Sequence, residues 1–284
     1  MEARVVQTEP GVQVLVDVQR PREPSRGDVV LVHGLEGSSE SKYMRSLAQA
    51  LLVAGYAVHR SNIRTCGGTE FLCDTLYHAG LTVDLEAYIR SLGAPSWLVG
   101  FSLGANQALK LAGELGQSGA GLLRGVCGVS APMDLAACSR ETELPRNRVF
   151  QWHYLGAMKR RLGRRQARLG ERWISARGLA AIRTLYEIDD LVTAPAGGFR
   201  DAGHYYTTQS AKSYMARVAV PTLLVQAKDD PIIPFSVFSD RGTADNPNVR
   251  LEATEHGGHI GFLSRTSPRV WVDEVIVDWI TRQL

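Results

Sequence analysis

Three residue types that together perform acyl transfer stand in this chain where they would be exposed to a substrate. They are Ser102 in Gly100-Phe101-Ser102-Leu103-Gly104, Asp230 in Ala227-Lys228-Asp229-Asp230-Pro231-Ile232-Ile233-Pro234, and His259 in His256-Gly257-Gly258-His259-Ile260-Gly261-Phe262. Ser102 closes the apolar run Trp97 to Val99 and opens a helical one, Leu103 through Leu115, which puts it at a strand-to-helix turn. A serine there is a nucleophile placed for attack: the flanking glycines permit a sharp turn, the hydroxyl stands clear, and the next backbone N–H faces the same space. In a chain with 28 glycines the pentapeptide alone also fits a chance match, so its neighbours must decide.

They decide through position. Pro221 to Gln226 reads as a buried strand ending at the acid, and Val249 to Ala253 alternates before the histidine loop. Serine, acid and histidine would then share one sheet edge, the edge where open α/β folds place their sites. Val29 to Val32 is another buried run and ends in His33-Gly34-Leu35-Glu36-Gly37, a turn whose backbone N–H groups can face the nucleophile. The N–H groups of Leu35 and Leu103 are therefore the expected oxyanion donors. Asp229 competes for the acid role, but adjacent side chains on extended backbone point apart, and the Asp-x-Ile-Ile-Pro spacing favours Asp230. His256 competes with His259, and the two glycines before His259 favour the latter. His33 ends a buried strand and is expected to fix the oxyanion loop by hydrogen bonding.

The elements that must hold these residues alternate. Strand runs lie at Val12 to Val18, Val29 to Val32, Tyr56 to His59, Trp97 to Phe101, Gly125 to Val129, Thr222 to Gln226 and Val249 to Ala253. Met44, Leu47, Ala48, Leu51 and Leu52 repeat at helical spacing, as do Leu81, Leu85, Tyr88, Ile89 and Leu92, and then Val272, Val275, Ile276, Trp279 and Ile280 after Pro268. Alternating strand and helix predicts an α/β fold with a mostly parallel central sheet flanked by helices. Residues 133–218 break the rhythm with dense helix formers and read as a helical cap inserted after the sixth strand, leaving 1–132 and 219–284 as the core. Within that segment Asp189, Asp190, Asp201, His204, Tyr205 and Tyr206 fit a pocket wall and a hydrogen-bonded hinge equally well.

Composition excludes several classes. At 284 residues and 44% hydrophobic content the chain can bury one large core. No apolar window is long enough to span a bilayer, and Met1 to Val18 carries no signal-peptide pattern, so a cytoplasmic location is expected. Cys66, Cys73, Cys127 and Cys138 lack zinc-ligand spacing and are expected as free thiols; neither metal nor organic cofactor is called for. From Cys138 to Thr184 there are 12 Lys and Arg against 3 acids. That run reads first as a solvated helical face, and second as a surface for weak contact with anionic membranes. No nucleic-acid partner is expected, and the sequence leaves the oligomeric state open.

These motifs together resemble the YheT-like branch of α/β-hydrolases, also called AB-hydrolase family four. The resembling segments are His33 to Gly37, Asn62 to Gly68, Gly100 to Asn106, Ile188 to Asp190 with Thr193 to Pro195, Asp201 to Tyr206, Asp229 to Pro231 and His256 to Phe262, over nearly the whole chain. The order serine, acid, histidine is that of the fold. The resemblance implies an intracellular serine hydrolase of carboxylic esters, in some members of phospholipids. The expected reaction is cleavage of short- to medium-chain acyl esters, small molecules, through an acyl-enzyme on Ser102 with His259 and Asp230. A phospholipase or acyltransferase is the alternative, and a non-catalytic binding protein of the same fold a lesser one. A dehalogenase is excluded because it needs a carboxylate at Ser102, and the basic helical segment disfavours an aminopeptidase.

Overall fold

The computed structural model describes residues 2–264 and 269–283; Met1, residues 265–268 and Leu284, with the expected Pro268 boundary, lie outside the described residues. Eight strands form one sheet: β1 (Glu2–Glu9), β2 (Val12–Gln19), β3 (Asp28–Val32), β4 (Ala57–Ser61), β5 (Ser96–Phe101), β6 (Leu123–Val129), β7 (Thr222–Ala227) and β8 (Val249–Thr254). Their spatial order is β1-β2-β4-β3-β5-β6-β7-β8. β1 and β2 join antiparallel, and every pairing from β4 to β8 is parallel. All five residues of β4 and all six of β5 and β7 are buried, as strands covered on both faces must be.

The seven strand runs of the sequence appear, and β1 is an eighth that the sequence reading lacks. Its sequence, EARVVQTE, interleaves charges, and its side chains stay largely exposed because it is an outer strand pairing only with β2. An edge strand needs no continuous apolar run, so nothing in its composition marked it.

The helices that position the site are α1 (Lys42–Val53), α2 (Val83–Ser91), α3 (Leu103–Leu115), α4 (Leu135–Thr142) and α5 (Arg148–Leu169). Met44, Leu47, Ala48 and Leu51 of α1 pack with Val272, Ile276, Trp279 and Ile280 of the last helix, Trp271–Arg282, on one face of the sheet. α2 and α3 cover the other face, joining Leu85, Ile89, Ala105 and Leu109 to Val30, Leu98 and Val126. Between β6 and β7 the described chain contains no strand. There α5 packs through Leu155, Met158 and Leu162 on Leu179, Ile182, Leu185 and Ile188. The turn Ala211–Arg217 packs on α3, where Tyr214 fills the space against Gly113. No helix among the described residues is long and apolar enough to cross a membrane. All four cysteines are free and buried.

One polar contact joins the two helices on the first face. Ser46 Oγ donates to Asp273 Oδ2 at 2.5 Å, and burial pushes the Asp273 carboxyl up to about 6, the hydrogen bond opposing that shift. A folded pKa above the unfolded value means that the ionised group weakens the fold as pH rises through about 6, while below the unfolded value the stability is fully present. Asp273→Asn keeps an acceptor for Ser46 and removes the cost of ionisation. It should stabilise the protein by about 1 kcal/mol at pH 8, raising Tm by roughly 2–4 °C, with the gain falling to roughly a third of that by pH 4.5; thermal melts at the two pH values check this.

Candidate active site

Ser102 occupies the turn between β5 and α3 with φ +50° and ψ −119°, in the region that L side chains rarely adopt. Two glycines make the turn feasible. A Cβ on Gly100 would lie 2.2 Å from the Gly104 carbonyl oxygen, and one on Gly104 would lie 2.5 Å from the His33 carbonyl oxygen. Ser102 N–H donates to the Val129 carbonyl at 2.8 Å, tying the turn to β6.

The three sequence candidates meet at this edge. Ser102 Oγ lies 3.0 Å from His259 Nε2, and His259 Nδ1 lies 2.9 Å from Asp230 Oδ2. With Asp230 accepting at Nδ1, the ring proton sits there and Nε2 is left to accept from the serine hydroxyl. Asp230 is oriented by three further N–H donors: Ile232 N and Ile233 N reach Oδ1 at 3.0 Å each, and Gln226 Nε2 reaches Oδ2 at 3.2 Å. Asp229 faces the other way. Its Oδ1 accepts from Gly257 N at 2.9 Å and Gly258 N at 2.8 Å, and His256 pairs with its other oxygen at 3.2 Å, out in solvent. The Gly258 N–H foremost holds the Asp229 carboxyl below its usual value. Asp229 therefore braces the loop that carries His259.

The loop after β3 is braced as firmly. His33 is fully buried, and burial pushes its pKa down to about 4, so the ring is neutral. Its Nδ1 lies 2.7 Å from the Gly34 carbonyl, and Nε2 accepts from Ile63 N at 3.1 Å. Tyr43 OH accepts from Gly34 N at 2.9 Å. Leu35 and Leu103 line a cavity with Ser102. That cavity, about 120 Å³, is small beside the roughly 300–1,000 Å³ of ordinary ligand sites, and Leu135, Met158, Ile232 and Ile233 make much of its wall apolar. Among the described residues no group of three or more His, Cys, Asp or Glu is placed to hold a metal ion.

Sequence reasoning missed one group beside this cavity. Glu36, at φ +55° next to Leu35, accepts from Tyr77 OH at 2.7 Å and from Arg161 Nε at 2.9 and 3.1 Å. Arg161 also donates to Thr65 Oγ1 at 3.1 Å and stacks over the Tyr77 ring. Arg165, one turn on, donates to the backbone carbonyls of Glu70 and Cys73, and Arg164 pairs with Glu70. The basic run is thus not only the solvated face expected of it. A solvated side chain has no fixed partner, whereas these three arginines fasten α5 to the loops after β3 and β4. The available signal was spacing, since Arg161 and Arg165 fall in register with Leu155, Met158 and Leu162 on the buried stripe of α5.

The comparisons with known proteins agree with this fold. A family model described as alpha/beta hydrolase fold matches residues 28–266. The chain belongs to that family. It is 37% identical to YheT of Escherichia coli K12 over 265 residues, which cover 90% of this chain and 77% of that one. It is 28% identical to the mouse phospholipase ABHD3 over 90% of this chain, spanning 64% of the relative's length. Among solved structures the Pyrococcus furiosus esterase Pf2001 matches with a TM-score of 0.66 at 17% identity, covering 99% of this chain and 90% of that one, and so shares the fold.

Removing one partner of the buried Glu36–Arg161 pair leaves a desolvated charge. Arg161→Met should cost about 3–5 kcal/mol in urea unfolding, and the double variant Glu36→Gln with Arg161→Met should recover more than half of that loss.

Proposed function

We propose that this α/β hydrolase is a serine esterase that cleaves short- to medium-chain carboxylic esters through an acyl-enzyme. The observation that carries the reading is the hydrogen-bonded chain Ser102, His259, Asp230 beside a small cavity with an apolar wall. His259 Nε2 takes the hydroxyl proton as Ser102 Oγ adds to the ester carbonyl, and Asp230 stabilises the imidazolium that forms. The N–H groups of Leu35 and Leu103 hold the oxyanion. Collapse breaks the bond to the alcohol, which leaves with the proton from His259. Water, deprotonated by the same ring, then adds to the acyl-enzyme and releases the acid and Ser102. Helices from the segment 133–218 act as a cap, since Leu135, Tyr154, Met158 and Leu185 wall the cavity against solvent. No cofactor enters these steps. Four unpaired thiols favour a cytosolic setting.

A second reading, action on lipid esters by hydrolysis or transfer, draws on the N-terminal part of α5. Val149 and Trp152 are 71% and 63% exposed there, with Arg148 stacked on the Trp152 ring. An apolar and cationic pair of this kind suits an anionic bilayer surface. Activation by anionic vesicles that is lost in Trp152→Ala would favour this reading, and indifference to vesicles would reject it.

Steady-state hydrolysis of p-nitrophenyl esters from acetyl to palmitoyl tests the main reading. Activity should peak at short to medium chains. Ser102→Ala should lower kcat by roughly 10⁴-fold or more, and Asp230→Asn should cost far more than Asp229→Asn, because only Asp230 touches His259. Unchanged turnover in Ser102→Ala would refute the proposal.

A further inference from the structure

The cavity beside Ser102 is also lined by a carboxyl group that acyl transfer does not use. The acidic and aromatic cluster 189–206 divides into two jobs in the structure. Asp190 Oδ1 accepts from Ala202 N at 2.8 Å and Asp201 Oδ1 from His204 N at 2.7 Å, so these two cap and fasten the helix Ala202–Gln209. Asp189 does neither, and with Tyr205 and Tyr206 it lines the cavity that contains Ser102.

Asp189 begins a π-helical turn, Asp189–Thr193, an irregularity that re-aims side chains and concentrates at functional sites. Tyr206 OH donates to its Oδ2 at 2.8 Å, and Thr193 lines the same cavity. Among the described residues no Lys or Arg lines the cavity. His78, which does, is kept neutral by burial, its pKa pushed down to about 4. Burial without a cationic partner pushes the Asp189 carboxyl up to about 6. A carboxylate has about four acceptor positions, and the Tyr206 hydroxyl takes one of them. A group of this kind costs stability among Leu135, Met158, Ile232 and Ile233, and a caps-and-hinges role does not account for it.

We propose that Asp189, held by Tyr206, binds substrate by accepting a hydrogen bond from a donor carried on the ester, a hydroxyl or an ammonium group. The identity of the ligand as an ester rests on the esterase reading; the recognition of a donor rests on Asp189. An ester with such a donor completes the carboxyl's hydrogen bonds, and its isostere leaves them unmade.

Binding to Ser102→Ala, which does not depend on turnover, provides the test by calorimetry. The probes are three pairs: 2-hydroxyethyl against propyl butyrate, 2-(dimethylamino)ethyl against 3-methylbutyl butyrate, and propyl 3-hydroxybutyrate against propyl 3-methylbutyrate. At least one donor-bearing member should bind about tenfold to a hundredfold tighter than its isostere. Adding Asp189→Leu should erase that gap. Adding Asp189→Asn should preserve a hydroxyl gap and erase an ammonium one, which separates the two donors. If the leucine variant does not fold, Asp189→Ser, which leaves a partner for Tyr206 but shortens the reach, should show the same loss. Equal binding within every pair, or a gap that survives both replacements, overturns the proposal. Hydrolysis of the same six esters by the native protein reports separately on the esterase reading, so a binding gap without turnover would sink that reading and leave Asp189's role standing.

Discussion

The backbone turn at Ser102 is the constraint to which the rest of this edge of the sheet is fitted. A non-glycine residue at φ +50° carries a cost of order 1–3 kcal/mol and persists only where its surroundings over-determine it. Here β6 supplies a carbonyl to the Ser102 N–H, and α3 folds back so closely that neither Gly100 nor Gly104 has room for a side chain. The end of β3 packs on the same spot, its Val32 and His33 carbonyls against Gly104. The nucleophile turn and the loop bearing Leu35 therefore meet main chain to main chain. Their separation is set by sheet register and not by rotamers, which is the condition preorganised electrostatic stabilisation requires.

Side chains then fix what the register leaves loose, and they do so across the chain. The loop after β3 is held from beneath by the neutral, buried His33 and from above by Glu36, which reaches Tyr77 and Arg161. Because Arg161 belongs to α5, any motion that lifts α5 must break a buried ion pair adjacent to Leu35. On the proposed mechanism, cap position and oxyanion geometry are thus coupled by a single charged contact, at a strength that only burial provides. Polar contacts also fasten the loop after β4 to the same helix, so α5 and the two loops behave as one braced unit.

What could be read in the sequence was what leaves a local trace. The strands β3, β5, β6 and β7 are continuous apolar runs because both faces are covered, and Ser102, Asp230 and His259 each follow such a run or its alternating counterpart. Asp230 was separable from Asp229 because extended backbone sends neighbours to opposite sides, and the structure does send one to His259 and the other to Gly257 and Gly258. Long-range partnerships leave no such trace. Arg161 meets Glu36 across 125 positions, so it read as one basic residue among many. β1 was silent because an edge strand may be half polar, and the division of labour between Asp189 and Asp190 depends on a π-helical turn that no periodicity announces.

The distribution of charge around the cavity explains why so few groups are available for proton transfer. Burial leaves His33 and His78 neutral, and His33 already uses both ring nitrogens, one on the Gly34 carbonyl and the other on Ile63 N after β4. Arg161 and Arg165 spend their donors on Glu36, Thr65 and backbone carbonyls and do not line the cavity with Ser102. His259 is therefore the imidazole in contact with both the hydroxyl and a carboxylate, and an imidazolium formed there finds its compensating charge in Asp230, whose orientation Ile232, Ile233 and Gln226 already hold. Asp230 is the carboxylate in direct hydrogen-bonded contact with that ring, and in a low dielectric contact decides which charge compensates it, so the proposed chemistry concentrates on a single hydrogen-bonded line from Ser102 to Asp230.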